Sequence, residues 1–260
     1  MLHLMYNPFK TKLNVIVIDE IFDYLDGANL LAFQYFMSSL INDCKKYNYK
    51  YYFMLFTHLD PNYFKNFILN KNVKVSYFDT PLLSEESCYE RMLYNRDDCV
   101  NKDLFSKYYL HYHPDDYTAT NEMLCDYEKD FVEEYPNSKL FIQSCINEYN
   151  KYINSDKYNI FMLCTLVRIA SEKILYSLLD NESRQQFLDE HGPNKITYAE
   201  EKIEIPDVVY FVKTFYNEAE HPKKEGVDSL KNRLYLRINT LAVKKLIKEV
   251  IDISQIIQNI

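Results

Sequence analysis

Glycine is almost absent from this sequence, since only Gly27, Gly192 and Gly226 occur among its 260 residues. A phosphate-binding loop of the GxxxxGK[ST] type needs two glycines five positions apart, and a GxGxxG fingerprint needs three close together. Neither spacing exists here. The sequence therefore contains no glycine-rich phosphate loop of either kind.

Paired cysteines and long apolar runs are missing as well. The six cysteines form no CxxC pair and no secretory apolar segment follows Met1, which predicts reduced thiols and a cytoplasmic protein. No apolar stretch approaches the ~20 residues of a membrane span, because even FMLCTLVRIA is interrupted by Arg168. We expect no membrane partner.

A strong positive charge is also lacking, because the net charge is −8. This argues against a general nucleic-acid coat, since phosphate binding relies on clustered lysine and arginine. The segment 222–250 is a local exception, with eight basic residues against three acids. Such an excess is most often a solvated helix face.

Two hydrophobic patterns divide the chain near residue 80. Before it, strand-like runs at LNVIVID, YKYYFMLFTH and NVKVSYF, with one helical stretch after Gly27, predict an α/β half-domain over residues 1–80. An irregular or helical connector is expected over 81–136, and an all-α domain over 137–260. Helical spacing of apolar residues defines that last domain, over 138–154, 157–180, 206–220 and 228–250.

Two carboxylates, Asp19 and Glu20, directly follow the apolar run VIVI. Ligands of open α/β sheets collect at the carboxyl ends of the strands. An aspartate there can hold Mg²⁺ through water, and a neighbouring glutamate can take a proton from an attacking water. An acidic strand-to-helix turn would contain the same dipeptide, so the pair alone does not decide between the two interpretations.

The spacing of the residues that follow resembles one ATPase family. Four residues separate Leu25-Asp26 from Asp19-Glu20, and Thr57-His58 ends the next strand in LFTHLDP. In this order the three elements resemble the Walker B motif, D-loop and switch histidine of ABC-type ATPases, including the RecF, SMC and AAA-like phage-defence ATPases.

This resemblance implies roles in ATP hydrolysis for five residues. Asp19 would position Mg²⁺, Glu20 would be the general base and His58 would contact the γ-phosphate of ATP. Asp26, which would face a second ATPase head, and Thr57 would belong to the nucleotide-binding part of the site.

The resemblance covers residues 13–80 and lacks the phosphate loop, the glutamine loop and the signature motif. It implies the C-terminal portion of an ATPase that is inactive alone. A Walker A-bearing N-terminal half, or a second head, would complete the site. The resemblance also implies a role in phage defence or DNA metabolism, with DNA or a defence effector as a further partner.

The helical part leaves other interpretations open. Arg168/Glu172 and Asn217/His221 are each four residues apart, as in a helical extension of some phage-defence ATPases, or they form ordinary inter-helix hydrogen bonds. The chain could instead be a non-enzymatic interaction module with a vestigial ATPase segment.

Two further patterns contain histidine. Arg184 and His191 loosely fit the Arg-x4–6-His pattern of HEPN-type ribonucleases, a third functional alternative. The HYHPDD segment offers His111, His113, Asp115 and Asp116 as metal ligands, but with no further ligand in view a solvated loop is the expected structure.

Overall fold

A computed structural model describes residues 14–19, 25–57, 61–64, 73–74, 76, 83–119, 125–190, 194–219, 222 and 227–258. Within these ranges a small parallel sheet lies near the N-terminus, and the rest is mostly helical, as expected for an α/β start followed by helices. The chain divides into two compact units, Met1–Asp79 and Thr80–Ile260.

The described part of the first unit contains a two-stranded sheet and one long helix. Strand β1 (Asn14–Asp19) pairs in parallel with β2 (Tyr51–Phe56), and helix α1 (Gly27–Lys46) connects them. Parallel neighbours require such a crossover. A short 3₁₀ turn, Pro61–Phe64, follows β2. The third strand predicted at NVKVSYF lies largely outside the described residues.

Only one face of this sheet is covered. Ile18, Phe53 and Leu55 pack against a core that includes Leu30 and Met37 of α1. The opposite face is exposed, by 52% at Val15, 58% at Val17, 61% at Tyr52 and 46% at Met54. The continuous apolar run predicted a strand covered on both faces. In the structure α1 supplies a single layer, so the second apolar face stays open.

The second unit is helical. Its helices are α2 (Cys88–Tyr94), α3 (Lys102–Phe105), α4 (Asp126–Glu134), α5 (Ser138–Ile153), α6 (Ile160–Leu178), α7 (Asn181–Asp189), α8 (Asn194–Glu200), α9 (Asp207–Ala219), α10 (Val227–Ile238) and α11 (Leu241–Ser254). A π-helical turn, Ser106–Leu110, continues α3.

Helix α6 lies at the centre of this unit, with 15 of its 19 residues buried. Helices α5, α9 and α11 pack against it. Aromatic side chains from before residue 137, such as Tyr89 and Phe131, join the same core as Phe141 of α5. The segment expected to be a connector therefore contributes to the core of the helical unit.

The last expected helix, 228–250, is in fact two helices. Helix α10 ends at Ile238, and α11 begins after Thr240, whose side chain accepts a hydrogen bond from the backbone N–H of Val243. A threonine N-cap satisfies a backbone donor that the first turn of a helix leaves unpaired. The apolar spacing runs through this break and hides it.

We predict that the full chain self-associates through the open sheet face, because large exposed apolar side chains there favour contact with another surface. Val17→Lys and Met54→Lys should shift the chain towards monomer. Size-exclusion chromatography with light scattering measures this. Ile253→Lys, at a position of α11 that is 49% exposed, is the control. A wild-type chain that stays monomeric at high concentration would contradict the prediction.

Candidate functional site

The carboxyl edge of the small sheet brings two of the predicted site residues together. Asp19 is the last residue of β1 and pairs in register with Phe56, so Thr57 stands one residue further along the neighbouring strand. Both residues are exposed. Glu20 and His58 follow them directly in sequence but lie outside the described residues.

Asp26 is the N-cap of α1. Its carboxylate accepts hydrogen bonds from the backbone N–H of Asn29, at 2.8 Å, and from the Asn29 side-chain amide, at 3.1 Å. These bonds hold the first turn of the helix that follows the acidic segment. Asp26 therefore has a local capping role, whatever further contact it makes.

Of the predicted Asp19-Glu20 pair, the structure describes only Asp19. Asp19 presents an exposed carboxylate, and Mg²⁺ in proteins keeps several waters and binds through one or two carboxylates. No phosphate-cradling loop accompanies it in the described first unit. The single glycine there, Gly27, would meet no atom within 4 Å if it carried a Cβ, so packing does not demand glycine.

A second cluster of charged groups is buried in the helical unit around Glu172. One carboxylate oxygen accepts from His111 Nδ1 at 2.7 Å and from Arg168 Nε at 3.0 Å. The other accepts from the backbone N–H of Tyr112 at 2.9 Å and from Lys195 Nζ at 3.2 Å. Burial raises the pKa of Glu172, but His111, Lys195 and Arg168 together hold it well below its usual range.

His111 is neutral in this cluster. The guanidinium of Arg168 lies 3.0 Å from His111 Nε2 and can only donate, so Nε2 must be the unprotonated acceptor and Nδ1 carries the hydrogen bonded to Glu172. Burial lowers the pKa of His111 to about 4, against the opposing attraction of Glu172. The hydrogen-bond geometry and the lowered pKa therefore both indicate a neutral imidazole at His111.

The Arg168–Glu172 pair thus lies on one helix face as its spacing predicts, and it forms hydrogen bonds inside the core. Sequence reasoning did not connect His111 or Lys195 with this pair, because they are 61 and 23 residues from Glu172. Asn217 is exposed on α9, and its predicted companion His221 lies outside the described residues.

The other sequence candidates have structural contacts. Arg184 donates to the carbonyl oxygens of Tyr176 and Ser177 and to the Asn181 side chain, at 3.0 to 3.1 Å. Its guanidinium therefore caps the end of α6. Its HEPN-pattern companion, His191, lies outside the described residues.

The HYHPDD segment is ordered by hydrogen bonds. Ser138 Oγ and the backbone N–H of Lys139 donate to Asp116, while His113 Nδ1 accepts from the backbone N–H of Asp115 at 3.1 Å. His111 belongs to the Glu172 cluster. These contacts scatter the four side chains among separate partners and do not gather them into one ligand set.

Part of the basic excess near the C-terminus is used in ion pairs. Lys231 pairs with the buried Glu90, and both Arg233 and Arg237 pair with Glu218. These three basic side chains therefore form ion pairs within the helical unit.

The chain matches no known protein family, no curated protein and no solved structure. Among the helices of the described ranges, none has both the length and the apolar character of a membrane span. The likeness to ABC-type ATPases therefore depends on the motif residues and their placement alone.

We predict that Glu172→Gln destabilises the helical unit by about 3–5 kcal/mol, because it leaves Arg168 and Lys195 buried without their counter-charge. Urea unfolding followed by circular dichroism measures the loss. Glu218→Gln is the matched control, since it also faces two arginines but in partly exposed pairs, and should cost about 1 kcal/mol or less. Equal losses in both variants would contradict this interpretation.

We also predict that the free energy of unfolding rises with pH between about 4 and 6.5. The folded pKa of His111, about 4, is below the usual 6.5, so the unfolded chain binds the proton more readily in this window and acid favours unfolding. The contribution of His111 reaches about 3 kcal/mol. In His111→Gln, which keeps a donor and an acceptor but cannot titrate, the slope should flatten. The free energy of unfolding of each protein at pH 8, where His111 is neutral in both the folded and the unfolded chain, is the reference for its pH dependence.

Proposed function

We propose that this chain carries the hydrolytic half of an ABC-type, RecF/SMC-like ATPase site. The supporting observation is the placement of three motif residues. Asp19 is the last residue of one strand, Thr57 directly follows the adjacent parallel strand, and Asp26 is the N-cap of the helix that links the two strands. Catalytic carboxylates of α/β proteins are expected at such an edge.

In the proposed site each residue has one task. Asp19 holds the hydration shell of Mg²⁺, which supplies positive charge to the phosphates of ATP. Glu20 takes a proton from the attacking water, and His58 donates to the transferred phosphoryl group. Asp26 and Thr57 border the nucleotide, with Asp26 towards the second head.

The proposal requires a phosphate-binding loop from another part of the same polypeptide or from a partner. The open apolar face supports this requirement, because sheets of α/β proteins carry helices on both faces, and among the described residues α1 and the turn at Phe64 pack on one face alone while the other is about half exposed. A helix that follows a phosphate-binding loop would cover Val15, Val17, Tyr52 and Met54. A role in phage defence or DNA metabolism, with DNA or an effector as a further partner, belongs to the same proposal.

We expect the chain alone to bind ATP weakly, since backbone N–H groups and the lysine of the missing loop make most phosphate contacts. Coding sequence directly upstream, in the same or an adjoining reading frame, should contain GxxxxGK[ST]. When its product is joined to or mixed with this chain, Mg²⁺-dependent ATP hydrolysis should appear. Phosphate release measures it.

In that assembly Glu20→Gln should lower the rate of hydrolysis by about 10²- to 10⁴-fold and leave ATP binding intact, because it removes only the general base. Asp19→Asn should raise the Mg²⁺ concentration needed for half-maximal hydrolysis. Asp43→Asn, near the end of α1, is the matched control. Unchanged hydrolysis in Glu20→Gln, or tight Mg²⁺-dependent ATP binding by the isolated chain in calorimetry, would overturn the proposal.

A further inference from the structure

Two thiols and a carboxylate converge in the helical unit, away from the Glu172 cluster. Cys99 follows a 3₁₀ turn, Arg96–Asp98, and its sulfur is 3.4 Å from that of Cys125, the N-cap residue of α4. Ligand atoms of Cys99, Cys125 and Glu128 all lie within 4.8 Å of one another. Met92 Sδ is 3.8 Å from Cys99 Sγ.

The carboxylate of Glu128 is buried and fixed in position. The residue is 2% exposed, and its oxygens accept from the backbone N–H groups of Asn101 and Cys125 at 3.0 and 2.9 Å. Within the described residues no lysine or arginine forms an ion pair with it. A buried carboxylate usually has a counter-charge, and the two N–H groups fix its direction without supplying one.

The geometry points to a Zn²⁺ site formed by Cys99, Cys125 and Glu128. Zinc bonds to thiolate at ~2.3 Å, so a tetrahedral ion separates two sulfurs by roughly 3.8 Å, and a shift of a few tenths of an ångström from 3.4 Å suffices. A disulfide needs sulfurs ~2.05 Å apart and therefore a larger movement. Thiolate with carboxylate is a donor set that suits zinc.

The fourth position belongs to water. A small, mostly apolar cleft, lined in part by Met92, Asn101 and Glu128, borders the carboxylate of the cluster. Bound there, zinc ties the turn before α3 to the start of α4, which are 26 residues apart at the two cysteines. The ion would stabilise the core by bracing two of its segments, and its three protein ligands would leave one position open, as in zinc sites that bind water.

Zinc uptake must release protons. Burial, followed by the neighbouring Cys125 and Glu128, raises the pKa of the Cys99 thiol to about 12, so at neutral pH the ion has to displace the proton. Metal affinity therefore increases with pH.

The test uses the full chain, reduced and stripped of metal with a chelator, titrated with Co²⁺ and then Zn²⁺. We expect one Co²⁺ per chain with thiolate charge-transfer absorption in the near ultraviolet, displaced by one Zn²⁺. Once free zinc exceeds the Kd by about 100-fold, the Tm should rise by about 5 °C or more. Reduced protein that takes up neither ion overturns the proposal.

Variants separate this site from the other thiols. Cys125→Ser, at a partly exposed position, should fold and should reduce the charge-transfer band by about half and zinc affinity by at least ~10-fold. Glu128→Gln should weaken zinc binding, but the charge-transfer band should remain because both thiolates are still present. Cys88→Ser, in the same unit, is the control and should bind like wild type. Zinc binding unchanged by Cys125→Ser overturns the assignment.

Discussion

The buried carboxylate of Glu172 is the interaction on which the arrangement of the helical unit depends. It accepts hydrogen bonds from α6 itself, from residues 111–112 and from Lys195 of α8. Apolar contacts are non-directional, whereas a buried anion is tolerated only with its donors in place. Because α6 is almost entirely buried, this cluster orients the segments on either side of it.

Sequence periodicity located the regular elements well where one apolar face persists. The helix expected over 138–154 is Ser138–Ile153, and the helix after Gly27 runs to Lys46. The break at Asn239–Thr240 was missed because the apolar spacing continues through it. The sequence does mark the break, because threonine is a preferred N-cap residue and Thr240 caps α11. Helix-capping preferences, and not apolar spacing, would have separated α10 from α11.

The candidate sites differ in how far the sequence predicts them. Adjacent parallel strands end at one edge, so strand order alone brings Asp19 near Thr57. The Arg168–Glu172 contact follows from helical spacing. By contrast, His111 and Lys195 reach Glu172, and Cys99 reaches Cys125, through tertiary packing over 23 to 61 residues. No spacing rule predicts such contacts, because they depend on how helices stack.

The two units also differ in how completely they bury their apolar surface. In the helical unit, bulky side chains such as Phe141 and Phe161 are fully enclosed, whereas Val15, Val17, Tyr52 and Met54 of the sheet are about half exposed. That exposed face borders the acidic edge, since Asp19 follows Val15 and Val17 at alternate positions of β1. A layer that buried the apolar face would therefore lie next to Asp19. In the proposed ATPase, the segment that buries the sheet face would therefore also complete the phosphate site. The hydrophobic effect would drive assembly, and catalysis would follow from it.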